Sequence, residues 1–443
     1  MKRPNVLMFM IDTFRPDHLE PWGPPAKPTP GFKRLADEGV FFRNHFAHMP
    51  SSHPARASIL TGRDPHTTGI RINNVPLPAA EVTLTQLLRD AGYATALTRE
   101  DTLRLGLDRG FDETGLVEEL FADGAKPWDI APEIPECTEM EAGMDLPQDV
   151  AASIHWLKAH KADPTKKDQP FFLWADVEDV HGAWHAPEPF GSRYTDPDFD
   201  GPDMGRPPTH SCDMPPSHKA QAIALYDGMV ALVDKYIQIL LKALDDLDLV
   251  DDTLLLVMSD HAGSLGEHNM WGKMCTVYDP VLRSVLMMRY PGVVPAGVQT
   301  SGQTVMNDVF ATVANIAGVE IPEQAERHCV DLAPLWQGKN EVRDVVPMEF
   351  NLYSDTVVKA VRTPKWKFIY NHSLGEKPWC KTTPTEIFRK EGWERVMLFD
   401  LENDPGETNN VIHQYPDIAR DMHWKLTQWL IDSENDLSAP APA

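Results

Sequence analysis

Three runs of the chain are apolar along most of their length and each stops at a polar cluster, a pattern that predicts the fold. Residues 5–11, 170–177 and 253–258 read as strands covered on both faces. They end at Asp12, at Glu178-Asp179-Val180-His181 and at Ser259-Asp260-His261. Shorter strands are expected at 40–47 and 93–97, and an edge strand with a loop at 278–293. Helical patterns fall at 31–39, 83–92, 149–159, 218–247 and 305–317. The longest places Ile223, Leu225, Met229, Leu232, Val233, Ile237, Leu240, Leu241 and Leu244 on one broad apolar face. Strands alternating with such helices predict an α/β fold: a large mixed, mostly parallel sheet sandwiched by helices.

After about residue 341 the pattern shifts to short strands at 345–353, 357–363, 366–370 and 396–400, separated by turns as in an antiparallel sheet. A helix over about 417–431 follows, and 440–443 reads as a frayed tail. The expected division is a catalytic α/β domain over 1–340 and a C-terminal subdomain over 341–443, whose smaller antiparallel sheet is packed by the terminal helix. Residues 116–148 are expected as an irregular insertion over the site, and 191–216 as a surface loop near its mouth.

Charge narrows the classes of partner. The 443 residues hold 41 Lys plus Arg against 66 Asp plus Glu, a net charge of −25, which argues against nucleic acid and anionic membranes. No run is long enough to span a bilayer. The five cysteines, Cys137, Cys212, Cys275, Cys329 and Cys380, are widely spaced with no Cys-x-x-Cys, so neither a disulfide framework nor a zinc cluster is indicated and a reducing compartment is favoured. The apolar run at 5–11 is too short for a secretion signal and ends on an acid. A cytoplasmic location is expected, or a periplasmic or secreted one if a leader has been removed.

Ligands bind at the carboxyl ends of strands in open α/β sheets, where the pattern puts Asp12, Asp179, His181, Asp260 and His261. Delivered to one edge, these make an oxygen-rich metal site; carboxylates suit hard divalent ions, and histidine admits manganese or zinc as well. Asp12 also reads as a helix N-cap, and His181 as a loop histidine. An unperturbed histidine pKa of about 6.5 suits general-acid work near neutrality. Trp184 is a pocket or a packing residue. At residues 51–63, Ser52, Pro54 and Arg56 precede Ala57-Ser58-Ile59-Leu60, which reads as a helix start whose free N–H groups favour an anion. The same residues serve as ordinary capping and loop chemistry.

The longer string is more specific. Ser52-x-Pro54-x-Arg56 followed by Leu60-Thr61-Gly62-Arg63 resembles the signature Cys-x-Pro-Ser-Arg-x-x-x-Leu-Thr-Gly-Arg of the type I, formylglycine-dependent sulfatases of the alkaline-phosphatase-like superfamily. Residues 259–273, with Asp260-His261, Gly266-Glu267-His268 and Trp271-Gly272-Lys273, resemble that family's second conserved segment. The resemblance implies hydrolysis of a sulfate monoester. It implies one divalent metal, calcium first with manganese or magnesium as alternatives, held by Asp12, Asp260, His261 and the side chain at 52. Arg56 and Lys273 would neutralise the sulfate, His181 or His268 would protonate the leaving oxygen, and Arg99, Asp179 and Trp184 would contact substrate. Ser52 stands where the family more often has Cys, Ala55 where it has Ser, and Thr13 where many members have a second Asp. Ser52 then calls for a serine-acting formylglycine-generating maturase, or marks an inactive form with Ser in place of Cys. The expected partner is a small sulfated sugar or aryl ester, with a homo-oligomer left open. The alternatives are a phosphonate monoester or phosphodiester hydrolase and, in another class, a noncatalytic anion-binding protein.

Overall fold

The computed structural model describes residues 3–208, 214–273, 276–352, 356–372 and 394–437. The first apolar run forms the strand Asn5–Ile11 and takes an interior place in a seven-stranded sheet. Across the sheet the order is Val298–Thr300, Val40–Phe42, Leu286–Arg289, Thr253–Met258, Asn5–Ile11, Phe171–Val177 and Ala94–Leu97. Asn5–Ile11 runs parallel to both neighbours, with Val6 opposite Phe172 on one side and Leu254 on the other. Three strand ends, and with them Asp12, Glu178 and Asp260, therefore meet at one edge. Leu286–Arg289 is antiparallel to both of its neighbours. It lies inside the sheet, not at the edge as its sequence suggested, because Leu286, Met287 and Met288 are apolar on both faces and are buried there.

Alternate residues of the first strand feed two cores, as a sheet covered on both sides requires. Val6, Met8 and Met10 pack with Ile59 and Leu60 of helix Ser52–Thr61 and with Val309, Phe310 and Val313 of helix Met306–Ala317. Leu7, Phe9 and Ile11 pack with Phe32 and Leu35 of helix Pro30–Glu38, with Val150 and Ile154 of helix Asp145–Ala162, and with Leu232, Ile237 and Leu240 of helix Pro216–Asp246. The segment expected as an irregular insertion holds the short helices Leu116–Leu120, Pro127–Ile130 and Glu139–Ala142. Its Leu116, Val117, Ala131 and Ile134 join the second core, so this segment is part of the packed layer rather than a cover over the strand ends.

The C-terminal strands Val346–Leu352, Thr356–Arg362, Trp366–Asn371 and Val396–Asp400 form a four-stranded antiparallel sheet. One face, including Met348, Val358, Ala360 and Ile369, joins the first core of the large sheet. The other face places Val361, Phe368 and Leu398 against Met422 and Leu426 of the terminal helix Pro416–Asn435. Cys137 and Cys329 are free thiols; Cys212, Cys275 and Cys380, Tyr353 and the expected tail at 440–443 lie outside the described residues. Among the described residues, no helix is long and apolar enough to cross a membrane.

A buried ion network holds the small sheet to the segment that follows Lys273. The Asp279 carboxylate accepts from Arg283 Nη2 at 2.6 Å, Lys367 Nζ at 2.7 Å and Arg362 Nε at 3.1 Å. Lys367 also meets Glu407 Oε1 at 2.8 Å, and Glu407 Oε2 accepts from the Asp279 backbone N–H at 2.6 Å. Burial opposes the charge on Asp279, but Arg362, Lys367 and Arg283 hold its carboxyl well below the usual range. Removing one member strands buried charge, so Asp279→Ala is expected to cost about 3–5 kcal/mol. Urea unfolding checks this, and a loss under about 1 kcal/mol, the range of a surface pair, would show that the network does not tie the sheet down.

Candidate active site

Ser52 opens its helix instead of preceding it by five residues as the sequence suggested. Ser51, in extended conformation, is the residue before the helix, and the helix runs from Ser52 to Thr61. Asn73 Oδ1 steadies this start by accepting from Ser51 Oγ at 2.7 Å and from the His53 N–H at 3.2 Å. Pro54 sits in the first turn, where a missing N–H costs nothing. The i, i+4 spacing puts Ser52 and Arg56 on one helix face, and that face meets the strand ends.

The Ser52 hydroxyl lies among three charged or coordinating side chains. It donates to Asp12 Oδ2 at 2.8 Å, accepts from Lys273 Nζ at 3.0 Å, and stands 3.3 Å from His261 Nε2. Arg56 lies deeper, only 1% exposed. Its Nε and Nη2 grip both oxygens of Asp176 at 2.7 and 2.6 Å, while Nη1 donates to Asp260 Oδ2 at 2.8 Å and Asp12 Oδ2 at 3.3 Å. The expected anion-binding arginine thus has its donors committed to three carboxylates. Asp176, missed in the sequence, was signalled there: it is the one charge in the otherwise apolar strand Phe171–Val177, and a buried acid in such a run needs a partner. Thr13, in place of a second Asp, supports the ligands through its hydroxyl to Asp12 Oδ1 at 2.5 Å and its N–H to Asp260 Oδ1 at 3.1 Å.

Asp12, Asp260 and His261 fit a divalent cation. Their ligand atoms lie within 4.8 Å of one another and all three residues are buried. The His261 Nδ1–H donates to the Ala262 carbonyl at 2.9 Å, which leaves the Nε2 lone pair facing Ser52 and Lys273, the orientation that metal-binding histidines use. The donor set already gathers a cation: Lys273 Nζ is 3.0 Å from Ser52 Oγ, 3.1 Å from His261 Nε2 and 3.8 Å from Asp12 Oδ1. Burial opposes the Asp12 charge, yet Lys273, Arg56 and His261 hold that carboxyl well below the usual range. Burial and the neighbouring Asp12 charge push Asp260 up to about 6. Burial and Lys273 keep His261 neutral.

A cavity of about 230 Å³ opens at this cluster, with Ser52, Arg56, His181 and Lys273 in its walls. His181 stands in the short helix Asp179–His181, and burial followed by Lys273 lowers its pKa. Asn73, Asp101 and Arg104 also line the cavity, from loops where sequence alone offered no spacing to follow, as does Glu178, which directly follows the strand Phe171–Val177. An adjoining cavity of about 270 Å³ shares His181 and Lys273 and is lined by Trp184, Trp271 and Arg206.

Three expected contacts fall elsewhere. Arg99 does not reach the cavity at Ser52: its guanidinium binds Asp149 at 2.5 Å and Asp145 at 3.0 Å, anchoring helix Asp145–Ala162. Asp179 caps the same helix, accepting from the N–H groups of Asp145 at 3.2 Å and Leu146 at 2.6 Å; burial raises it to about 6. Helix N-termini attract carboxylates, and that demand took Asp179 from the substrate side. His268 stacks on Tyr278, ring centroids 3.9 Å apart and 7° from coplanar, and lines neither cavity. Trp184 gives its indole N–H to the Val180 carbonyl at 3.1 Å and packs against Tyr226, so it offers the second cavity only a ring.

Comparison with known proteins agrees with this geometry. A family model described as Sulfatase matches residues 4–319. Choline-sulfatase of Rhizobium meliloti (strain 1021) is 26% identical over 92% of this chain and 82% of its own length. Delta 4,5-hexuronate-2-O-sulfatase of Bacteroides thetaiotaomicron is 25% identical over 98% of this chain and 90% of its own length. Among solved structures, the phosphonate monoester hydrolase of Agrobacterium radiobacter shares the fold with a TM-score of 0.75 at 23% identity, over 97% of this chain and 96% of that one.

A cation bound only by the folded site must stabilise the fold, by about 2.7 kcal/mol at one hundred times its dissociation constant. Calcium or manganese is therefore expected to raise the melting temperature of the metal-stripped protein by several degrees, and Asp260→Asn to abolish most of the rise. Calorimetric melting with each ion checks this; an unchanged melting temperature at millimolar calcium, magnesium and manganese would rule out Asp12, Asp260 and His261 as a metal centre.

Proposed function

The chain belongs to the sulfatase family, and we propose that it hydrolyses a sulfate monoester, R–O–SO3⁻ plus water to R–OH plus sulfate, with position 52 as the nucleophile. The observation that carries this reading is the placement of Ser52 Oγ at the head of a helix, 2.8 Å from Asp12 and 3.0 Å from Lys273, on the wall of a polar cavity. The sulfatases among its relatives support the same reaction.

The residues divide the work. Asp12 Oδ2 holds the proton of the hydroxyl at position 52 and orients its lone pair into the cavity. Lys273 places positive charge where the sulfate oxygens gather it, a preorganised stabilisation. Arg56 fixes Asp12, Asp176 and Asp260 in position. His181, on the cavity wall and outside the Ser52 cluster, delivers a proton to the departing alcohol oxygen. Asp12, Asp260 and His261 would hold a divalent cation, which would supply Lewis-acid polarisation of a sulfate oxygen.

Turnover needs more than a serine. Formylglycine at position 52, once its aldehyde has added water, would present two hydroxyls on one carbon: one to attack sulfur as the S–O bond to the alcohol breaks, and one whose loss of a proton would reform the aldehyde and expel sulfate. Unmodified Ser52 lacks the second hydroxyl, so in that state the site takes an ester without turning it over.

Two measurements test this. Protein made with a serine-acting maturase is expected to show the Ser52 peptide lighter by two hydrogens and to cleave 4-nitrophenyl sulfate in preference to the matching phosphodiester. A preference for the phosphodiester would move the chain to the phosphonate monoester hydrolases that share its fold. His181→Ala is expected to lower kcat for alkyl sulfates by about 10²–10⁴, the range for a lost general acid, and to spare 4-nitrophenyl sulfate, whose leaving group needs no proton. Equal losses on both esters would remove His181 from that role.

A further inference from the structure

The alcohol of the ester is the open term, and the inference drawn for it rests on Ser52 as the reacting centre. We propose that the substrate is a small sulfate ester whose alcohol carries a positive charge, recognised by Glu178 and Asp101. Both carboxylates line the cavity at Ser52. Both side chains are exposed there, and neither has a hydrogen bond or an ion pair among the described residues.

The charges in the cavity fall into two layers. At the bottom, Arg56 is committed to Asp12, Asp176 and Asp260, and Lys273 faces Ser52; with a divalent cation on Asp12, Asp260 and His261 this layer would be one unit positive and would suit the single negative charge of a sulfate ester. The outer wall carries Glu178 and Asp101 against one cation, Arg104, whose Nη2 donates to Asn74 Oδ1 at 3.1 Å. The wall is net negative, next to a centre that must admit an anion, but burial and the Asp12 charge push Glu178 up to about 7, so its charge is only partial until a cation arrives to fix it. A neutral alcohol leaves both carboxylates unused, and a second sulfate or a carboxylate on the substrate is repelled. An alkyl ammonium neutralises the wall and reverses its effect on binding.

Size and surface point the same way. At about 230 Å³ the cavity is below the roughly 300–1,000 Å³ of sites for drug-sized ligands, and a sulfate group takes part of it. No Phe, Tyr or Trp among the described residues lines it, and its only rings are the imidazoles of His53 and His181, so it offers no large apolar face to a sugar or aryl group. The rings of Trp184 and Trp271 belong to the adjoining cavity, which Ser52 does not line.

The test is a calorimetric titration of the full chain carrying unmodified Ser52, with calcium present, using 2-aminoethyl sulfate, ethyl sulfate and 4-nitrophenyl sulfate. The first two differ only by an ammonium group. The ammonium ester is expected to bind about tenfold more tightly than ethyl sulfate, the strength of one hydrogen bond to a charged group. The double variant E178Q/D101N is expected to erase that margin, with ethyl sulfate binding no more weakly than before. Equal affinities of the first pair, or tightest binding of ethyl sulfate or 4-nitrophenyl sulfate, overturn the proposal and leave the sulfatase reading standing. Binding of none of the three overturns the sulfatase reading, and this proposal with it.

Discussion

Everything at the site depends on one buried cation. Three neighbouring strands bring Asp12, Asp176 and Asp260 to within reach of a single point, and carboxylates that close repel strongly once removed from water. Arg56 lies between them with four donor contacts of 2.6 to 3.3 Å. Its own burial is tolerable only because the acids are there, and theirs only because it is. The planar guanidinium fork suits this task, since it binds Asp176 with two parallel hydrogen bonds while its remaining nitrogen spans the other two carboxylates. A lysine brings the charge but not the fork.

That arrangement explains the spacing of the Ser52 segment better than anion binding does. Residues four apart share a helix face, so a helix beginning at Ser52 lowers Arg56 into the acids and leaves position 52 above them, beside Lys273. The serine is then located by the same ion cluster that shapes the metal ligands. Asp279, which Lys367 and Glu407 tie to the small sheet, lies six residues beyond Lys273, and no described residue of the C-terminal sheet lines the cavity at Ser52.

Much of this was legible in the chain. Apolar runs ending on acids predicted the buried strands and the edge where the ligands gather, because the inside of a sheet and its carboxyl end make opposite demands on a side chain. What stayed hidden were the choices between partners. Asp179 and Arg99 have the right charge and lie at strand ends, yet the nearby N-terminus of helix Asp145–Ala162 and its Asp149 were better partners for them. His268 has acid–base chemistry, but its ring is used in stacking on Tyr278. Asp176 is visible as an acid in a buried strand; its pairing with Arg56 is a long-range contact that no local spacing encodes. Glu178 stands visibly at a strand end, but Asp101 and Arg104 reach its cavity only through loop geometry.

Binding and turnover are separable in such a site. The groups proposed to hold an anionic ester, Lys273 and the candidate metal ligands Asp12, Asp260 and His261, come from elements other than the helix that carries Ser52 and Arg56, so their places do not depend on the covalent state of residue 52. The serine contributes a position, and its chemistry depends on a second hydroxyl that the fold cannot provide. A chain with this cluster intact and Ser52 unmodified therefore retains the recognition half of the enzyme. On the proposal above, the charge on the cavity's outer wall, carried by the exposed Glu178 and Asp101, would decide which esters are held, apart from the buried cluster.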